Sequence, residues 1–336
     1  MSLSASRMTG EPSDPIVLVF AADEGFSLPL AVSMYSALVH LSAERTVEVY
    51  VIDHGLSPAT RTRLQRRIVA PVTASASLTF ISGHKWLEKL DVDIGRSYTP
   101  IVLLRLFLSD MLPDTEKVLY LDCDLIVERS VESLWERPVD EHTLLGVQER
   151  RVDCPARGVR QWDALGLEPN LPYLNSGVLV MNLRRWRAEN LARRCLAFLR
   201  SHAEDEMNVG WDQEAINAVR GGTFGLLDPR WNVVLHYYWP KLYDRQFIGE
   251  QTGTDRRAVA SDPFVIHYTS PNKPWCRGGA FRHPKRDRFF HYLRRSRWLR
   301  PIDWLRYRAP FWAEDARHRT RALRHRIRGP WSTNPS

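Results

Sequence analysis

Short apolar runs alternate with amphipathic helical segments along the N-terminal part of this 336-residue chain. Strands are predicted at residues 16–22, 47–52, 78–81 and 117–121, and the first and last of these have the apolar composition of buried strands. The segments with helical spacing lie at residues 28–41, 58–69 and 99–112. Ser57, directly before Pro58, is a helix start signal. This alternation predicts an α/β protein with a mostly parallel, doubly wound sheet flanked by helices.

The second half of the chain has a less regular pattern. Further strands are predicted at residues 143–147, 177–182 and 264–266, and further helices at residues 183–200 and 212–219. Between them, residues 150–172 are rich in Pro, Gly and Arg and predict a long loop. Because loops of this length are often functional, this one is a candidate lid.

The composition indicates a soluble globular protein, with 44% hydrophobic and 26% charged residues. Residues 1–15 contain no apolar run of signal-peptide length and are expected to be disordered, and residues 16–22 are too few to cross a bilayer. A cytoplasmic location is therefore expected. The four cysteines show neither paired zinc spacing nor the density of a disulfide scaffold, so reduced thiols are expected.

The net charge of +8 is concentrated near the C-terminus. Residues 280–336 contain sixteen Lys or Arg against four Asp or Glu, a net +12 that leaves the preceding residues at −4. Aromatic residues that favour a bilayer interface are interleaved with this charge, namely Trp298, Trp304, Tyr307, Phe311, Trp312 and Trp331. An anionic membrane surface is the predicted partner, because about 1 kcal/mol per nearby basic residue accumulates across such a cluster. Nucleic acid is not the expected partner, and a solvated tail without a partner is the remaining alternative.

Two carboxylates follow the fourth apolar run, in the sequence Asp122-Cys123-Asp124. The carboxyl end of such a buried strand opens into the crevice where open α/β sheets bind ligands. Two acids this close repel each other unless a cation lies between them, and oxygen ligands suit Mg²⁺ or Mn²⁺ shared with substrate phosphates. A nucleoside diphosphate is the corresponding ligand. The alternative is that the pair only caps the following turn.

Five blocks of sequence resemble glycosyltransferase family 8, the retaining, metal-dependent group that includes bacterial lipopolysaccharide galactosyl- and glucosyltransferases. The blocks occur in the family's order and are VFAAD (19–23), VLYLDCD (118–124), YLNSGVLVMNLRRW (173–186), WDQEAIN (211–217) and HYTSPNKPW (267–275). The resemblance implies a GT-A fold over residues 16–279 and a UDP-galactose or UDP-glucose donor. It also implies an α-linked product on a sugar or glycolipid acceptor. The basic segment 280–336 would hold the enzyme at the inner face of the membrane.

The resemblance assigns three metal ligands, Asp122, Asp124 and His267, with Mn²⁺ or Mg²⁺ as the ion. His267 alone would more often be a buried, satisfied histidine, but it stands between an apolar strand and Lys273. Lys273 resembles the family's diphosphate-binding lysine, which would offset charge on the UDP leaving group.

The remaining donor contacts also follow from the resemblance. Ala22 and Asp23 match the turn that holds the uridine, and Cys123 lies between the two metal-binding acids. The family often has a polar residue at the position of Gly25, so Phe26 is expected to pack near the base instead.

Residues around the transferred sugar are implied to be Asn175, Asp212, Gln213 and Arg105. The Gln213 amide would lie near the anomeric carbon, on the face opposite UDP, and because an amide is a poor nucleophile a same-face, oxocarbenium-like displacement is expected. A covalent intermediate remains an alternative, as does a helix N-cap role for Asp212. Glu149 is near a further acidic sugar contact of the family, but Arg150 and Arg151 depart from the pattern, so Glu149 is not included in the site.

Two other functions remain open at this point. A haloacid-dehalogenase-type phosphatase also places Asp-x-Asp after an apolar strand, but Ile126 and the lack of a later paired acidic motif disfavour it. A catalytically inactive sugar-nucleotide-binding protein is the second alternative, and the intact Asp122, Asp124, Gln213 and Lys273 argue against it.

Overall fold

The computed structural model describes residues 14–72, 75–90, 100–150, 152–202, 211–239, 255–269, 271–277 and 282–327. Two of the predictions made above lie outside these residues. They are the disorder of residues 1–13 and the interfacial role of Trp331.

Nine strands build the described part of the molecule. They are β1 (Ile16–Ala22), β2 (Val47–Asp53), β3 (Ala76–Ser82), β4 (Lys117–Leu121), β5 (Leu125–Val127), β6 (Leu144–Gln148), β7 (Leu174–Asn182), β8 (Gly225–Leu226) and β9 (Val265–His267). Seven of them form one sheet in the order β3-β2-β1-β4-β7-β6-β8, and β5 pairs with β9 in a separate ladder. Strands β1 to β4 are mutually parallel, whereas β7 runs antiparallel to both β4 and β6. The predicted mostly parallel sheet of an α/β protein is confirmed.

Helices flank this sheet. The α-helices are α1 (Ser27–Leu38), α2 (Pro58–Leu64), α3 (His84–Leu87), α4 (Leu108–Met111), α5 (Glu132–Trp135), α6 (Pro155–Gly158), α7 (Leu183–Ala188), α8 (Leu191–Ser201), α9 (Trp211–Arg220), α10 (Leu235–Tyr238), α11 (Arg256–Ser261), α12 (Arg286–Arg295) and α13 (Pro301–Ile327). Turns of 3₁₀ helix occur at Glu24–Phe26, Pro100–Phe107 and Pro229–Asn232, and α2 continues as a π-helix at Gln65–Val69. Ser57 caps α2 as predicted, because its side chain accepts a hydrogen bond from the Thr60 backbone N–H.

Several element boundaries differ from the sequence predictions, including the following three. The segment predicted as one helix at 99–112 is 3₁₀ helix over most of its length, and only its end is α-helical. The helix predicted at 183–200 is interrupted at Asn190, which has a left-handed φ of 51° that an α-helix cannot continue through. Strand β7 begins three residues earlier than predicted, so Asn175 and Ser176 belong to the sheet rather than to a loop.

The core is continuous across the sheet and its helices. The side chains of β1 and β4 are almost entirely buried, as their apolar composition requires. Trp186 on α7 is 1% exposed, and its indole N–H donates to the Leu106 carbonyl at 3.1 Å. Burial of this indole therefore leaves no unpaired donor.

The first part of the basic segment 280–336 packs against the rest of the molecule. Helix α12 lies against α1 and β5, and Arg288 forms an ion pair with Glu128 at 2.6 Å. Trp298 and Phe311 are 3% and 1% exposed, so the interfacial role expected of these two side chains is wrong. Over residues 301–316 of α13, the large apolar side chains that remain exposed are Ile302, Leu305 and Trp312. None of the described helices is long and apolar enough to cross a membrane.

Candidate active site

The antiparallel pairing of β4 with β7 assembles the site. Leu121, the last residue of β4, is paired with Val178, and the next backbone N–H, of Asp122, donates to the Gly177 carbonyl at 2.9 Å. The end of β4 therefore lies beside the beginning of β7. For this reason the carboxylates after β4 are close to Asn175 and Ser176, although about fifty residues of chain separate them.

A second ladder brings His267 to the same place. Strand β5 pairs with β9, Leu125 opposite His267, and the Tyr268 backbone N–H donates to the Asp124 carbonyl at 3.0 Å. Nε2 of His267 lies 3.0 Å from Oδ1 of Asp124 and 3.5 Å from Oδ2 of Asp122. One ligand atom from each of the three residues lies within 4.8 Å of the others. The three predicted metal ligands are therefore brought together.

This group of ligands fits a divalent cation. Two carboxylates and one imidazole are a donor set suited to Mn²⁺ or Mg²⁺. Burial opposes the charge of Asp124, but the nearby Lys273 and His267 outweigh it and hold the pKa of Asp124 well below its usual range. Asp124 is therefore ionised at neutral pH, as a metal ligand must be.

Position 177 must be a glycine because His267 and Asp122 lie too close to it for a side chain to fit. A Cβ at this position would lie 2.2 Å from Cε1 of His267 and 2.8 Å from Oδ2 of Asp122. Real Cβ atoms essentially never approach that closely, so any side chain here would displace two of the three ligands. The glycine of the YLNSG block thus makes room for the metal ligands.

Lys273 lies on the other side of Asp124. Its Nζ is 2.6 Å from Oδ2 of Asp124 and also donates to the Tyr268 carbonyl. The ammonium group is therefore held beside the predicted metal ligands.

Arg105 connects the metal ligands to the residues around the predicted sugar. Its guanidinium contacts Oδ1 of Asp122 at 2.8 Å and Oδ2 of Asp212 at 3.0 Å, and it donates to the Ser176 carbonyl at 2.6 Å. Although burial disfavours the charged form, the two carboxylates raise the pKa of Arg105. Arg105 is thus a shared counter-ion of Asp122 and Asp212.

Helix α9 supplies Asp212 and Gln213. Burial raises the pKa of Asp212 against the opposing effect of Arg105, and its carboxylate accepts from the Ser176 hydroxyl at 2.8 Å. Asp212 lies inside the first turn of α9, which begins at Trp211, and not at an N-cap. Oε1 of Gln213 accepts from the Ser176 N–H at 3.1 Å, while its buried Nε2 makes no hydrogen bond of standard geometry within the described residues and has the buried Tyr173 hydroxyl as its neighbour. An amide donor is thus available at this point of the site.

Two buried members of the site were not included in the sequence prediction. Glu149 accepts from Nδ2 of Asn175 at 2.6 Å, so this acid contacts the predicted sugar site after all. Asn232, at the end of a 3₁₀ turn, contacts Asn175 at 2.6 Å and Nδ1 of His267 at 2.9 Å. The family resemblance had pointed to Glu149, which was set aside because of Arg150 and Arg151. Asn232 follows no apolar run or motif that the sequence analysis used.

A cavity of about 140 Å³ opens beside the metal ligands. Its walls include five of the six residues predicted to bind the nucleotide, namely Ala22, Asp23, Phe26, Asp122 and Cys123, whereas Lys273 does not line it. Asp23 also caps the 3₁₀ turn that follows it, by accepting from the Phe26 N–H at 3.0 Å. The Phe26 ring makes an edge contact with Trp275, at 6.3 Å between centroids, and so connects the first-strand turn to the loop of Lys273.

Several known proteins of similar sequence are named as glycosyltransferases. The chain is 24% identical to General stress protein A of Bacillus subtilis over 283 residues, covering 84% of this chain and 94% of that protein. It is 22% identical to the lipopolysaccharide 1,3-galactosyltransferase of Salmonella typhimurium over 276 residues, covering 80% and 75% of the two chains.

The fold is shared with a solved galactosyltransferase. The structure of LgtC in complex with donor and acceptor sugar analogues superposes with a TM-score of 0.67 at 22% identity, covering 87% of this chain and all of that one. The sheet described above is thus that of a GT-A glycosyltransferase. The model of the family described as "Glycosyl transferase family 8" matches residues 17–278. The chain therefore belongs to glycosyltransferase family 8.

Proposed function

We propose that the protein transfers galactose or glucose from a UDP-hexose to a sugar or glycolipid acceptor, with retention of the α configuration. The observation that carries the proposal is the group of Asp122, Asp124 and His267, whose ligand atoms lie within 4.8 Å of one another beside a cavity lined by Ala22 and Asp23. This arrangement suits the two parts of a nucleoside diphosphate. The apolar cavity can receive the base, and the charged group can receive the phosphates.

The metal site is proposed to hold Mn²⁺ or Mg²⁺ through Asp122, Asp124 and His267. A divalent ion bound there would neutralise the diphosphate and make UDP a better leaving group. Arg105 orients Asp122, and the β5–β9 ladder orients His267 relative to Asp124. The protein therefore presents its ligands without rearranging the backbone.

Lys273 is proposed to support departure of UDP. Its ammonium group is already held beside Asp124, at 2.6 Å, and is available to a phosphate oxygen at the same position. Positive charge fixed in advance near a leaving group stabilises the transition state more than the ground state. Loss of Lys273 should therefore reduce turnover more than donor binding.

The sugar is proposed to lie between Asn175, Asp212 and Gln213. The carboxylate of Asp212 is oriented by Arg105 and Ser176. The Nε2 amide of Gln213 can donate to a hydroxyl group or to the ring oxygen of the sugar. Since no carboxylate of the group is assigned as an acceptor base, we propose same-face displacement in which a phosphate oxygen takes the acceptor proton. That route retains the anomeric configuration.

The C-terminal region is proposed to contact a membrane that carries the acceptor. One relative is named as a lipopolysaccharide galactosyltransferase, which makes a glycolipid acceptor a reasonable candidate here. Ile302, Leu305 and Trp312 lie on one face of α13 and are about half exposed, at 51%, 50% and 48%. Together with the surrounding arginines, this exposed face is proposed to contact an anionic membrane surface. Residues 150–172 and the C-terminal third are proposed to form the acceptor side.

The function is tested by measuring UDP release from UDP-galactose, UDP-glucose and UDP-N-acetylglucosamine, with Mn²⁺ or with EDTA. We expect metal-dependent release from one of the two hexose donors, and an α-linked product by NMR when an acceptor sugar is supplied. A β-linked product would exclude retention. Turnover of a generic phosphomonoester would favour the phosphatase alternative. Binding of UDP-sugar without any turnover, in the presence of acceptor glycolipid extracts, would indicate an inactive binder.

A further inference from the structure

A chain of buried hydrogen bonds joins the sugar side of the site to the metal ligands. It runs from Glu149 to Asn175 at 2.6 Å, from Asn175 to Asn232 at 2.6 Å, and from Asn232 to Nδ1 of His267 at 2.9 Å. All four side chains are at most 7% exposed. Each member therefore depends on its neighbours for hydrogen bonding, because bulk water has little access to it.

The direction of these hydrogen bonds is fixed at Asn175. The Gly177 backbone N–H lies 3.0 Å from one amide atom of Asn175, and since a backbone N–H can only donate, that atom is Oδ1. The other amide atom, Nδ2, then donates to Glu149. The contact from Asn175 to Asn232 is also made by Oδ1, so the Asn232 atom that meets it must be the donor Nδ2.

The same reasoning reaches the imidazole of His267. With Nδ2 of Asn232 directed to Asn175, its Oδ1 is the atom that faces Nδ1 of His267. An amide oxygen only accepts, so Nδ1 must carry a hydrogen. With no metal bound, Nε2 can carry a second proton that it donates to Asp124 at 3.0 Å. When a metal displaces that proton, the Nε2 lone pair faces the ion held by Asp122 and Asp124.

We propose that Asn232 is a positioning residue that fixes the Nδ1–H tautomer of His267 and so presents the Nε2 lone pair to the metal. The inference deepens the proposed metal site and rests on it. Asn232 is itself held in place, because the next residue, Val233, bridges Ile266 in β9 and accepts from the His267 backbone N–H at 3.1 Å. Partners of this kind typically contribute about 10- to 100-fold to metal affinity.

The first test is the tautomer of His267 in the metal-free protein. Protein labelled with ¹⁵N-histidine is brought to a pH at which the ring has lost its second proton, and the His267 signals are assigned by comparison with His267→Gln. We expect the Nδ1–H pattern in wild type and in Asn232→Asp, whose carboxylate still accepts from Nδ1. Asn232→Leu should lose this single pattern. An Nε2–H ring in wild type, or an unchanged pattern in Asn232→Leu, overturns the proposal.

The second test is direct titration with Mn²⁺, followed by EPR of the free ion. We expect Asn232→Leu to bind about 10- to 100-fold more weakly than wild type and Asn232→Asp to stay within a few-fold of it. Asn182→Leu is the matched control, because Asn182 is equally buried but caps α7 away from the site, and it should keep wild-type affinity. Wild-type protein that binds no Mn²⁺ would refute the proposed metal site itself. Tight Mn²⁺ binding by Asn232→Leu would refute only the role of Asn232.

Discussion

Nε2 of His267 lies 3.0 Å from Oδ1 of Asp124, although 143 positions separate the two residues in the sequence. Neither residue could hold a metal alone. Their closeness results from the β5–β9 ladder, in which Leu125 and His267 are directly opposite each other. The predictions below use this and the related contacts of the site.

Replacing Asp124 by Asn should abolish metal-dependent transfer while keeping the fold. The loss should exceed about 100-fold, since even outer partners of metal ligands account for about 10- to 100-fold. Asp122→Asn should be equally inactive but less stable, because it weakens the ion pair of the buried Arg105. UDP release and thermal unfolding of both variants provide the measurement. Full turnover of either variant in excess EDTA would contradict the metal assignment.

Gly177→Ala should lose metal binding because its new Cβ would lie 2.2 Å from Cε1 of His267 and 2.8 Å from Oδ2 of Asp122. Gly146→Ala is the matched control in the adjacent strand, where the new Cβ would meet a Leu174 methyl group at 2.1 Å. Both variants should be destabilised, but only Gly177→Ala should lose affinity for Mn²⁺, measured by titration. Equal affinities of the two variants would show that the metal site has more space than the structure indicates.

The stability of the folded protein should decrease as the pH is lowered below neutral, because of His283. Burial, with the positive charges of Lys273 and Lys285, lowers the pKa of His283 to about 3 from the usual 6.5. The unfolded chain therefore binds a proton that the folded protein does not, so folding free energy is lost as the pH falls from about 6.5 towards 3, by about 1.4 kcal/mol per pH unit.

His283→Gln should reduce this slope, as measured by chemical unfolding at several values between pH 6.5 and pH 4.5, within the range between the two pKa values. His84→Gln, at an exposed histidine, controls for the removal of a histidine elsewhere. A slope in His283→Gln equal to that of wild type would mean that His283 is protonated in the folded protein.

The exposed face of α13 should bind anionic vesicles. Replacing Ile302, Leu305 and Trp312 together by Ser should lower vesicle co-sedimentation by about tenfold or more, given about 1.5–3 kcal/mol for each fully buried large apolar side chain. The substitutions avoid the buried Trp298 and Phe311, which truncation at residue 280 would remove.

The control for that experiment replaces Leu165 and Leu226, which are exposed elsewhere at 42% and 50%. These changes should leave binding unaltered, and high salt should weaken the wild-type interaction. Equal binding of all variants, or no preference for anionic lipid, would exclude this face as the membrane contact.

The sequence predicted the parts of the fold that depend on local apolar pattern. The strands β1, β2 and β4 form where mostly apolar runs predicted them, and Ser57 caps its helix. The interruption at Asn190 was not predictable in this way, because it depends on a left-handed backbone conformation and not on apolar spacing. The apolar pattern of the sequence therefore predicts which helices and strands form better than it predicts where each one ends.

The site was predicted in part. Asp122, Asp124, His267 and Lys273 are brought together as the family resemblance implied. The sequence did not predict the partners of Arg105 or the contact of Asn232 with His267. These contacts join residues far apart in sequence through side-chain hydrogen bonds. Such contacts become visible only when the strands are paired.

The antiparallel strand β7 places one part of the site in the sheet, whereas another part lies in loops. Asn175 and Ser176 belong to the strand, so the sugar side is held by the ladder that also holds the core. Asp23 and Lys273 lie in the connections after β1 and β9, where the backbone can shift without breaking strand pairing. Substitutions at Asp23 or Lys273 thus leave strand pairing intact, whereas a change at Asn175 or Ser176 alters the sheet itself.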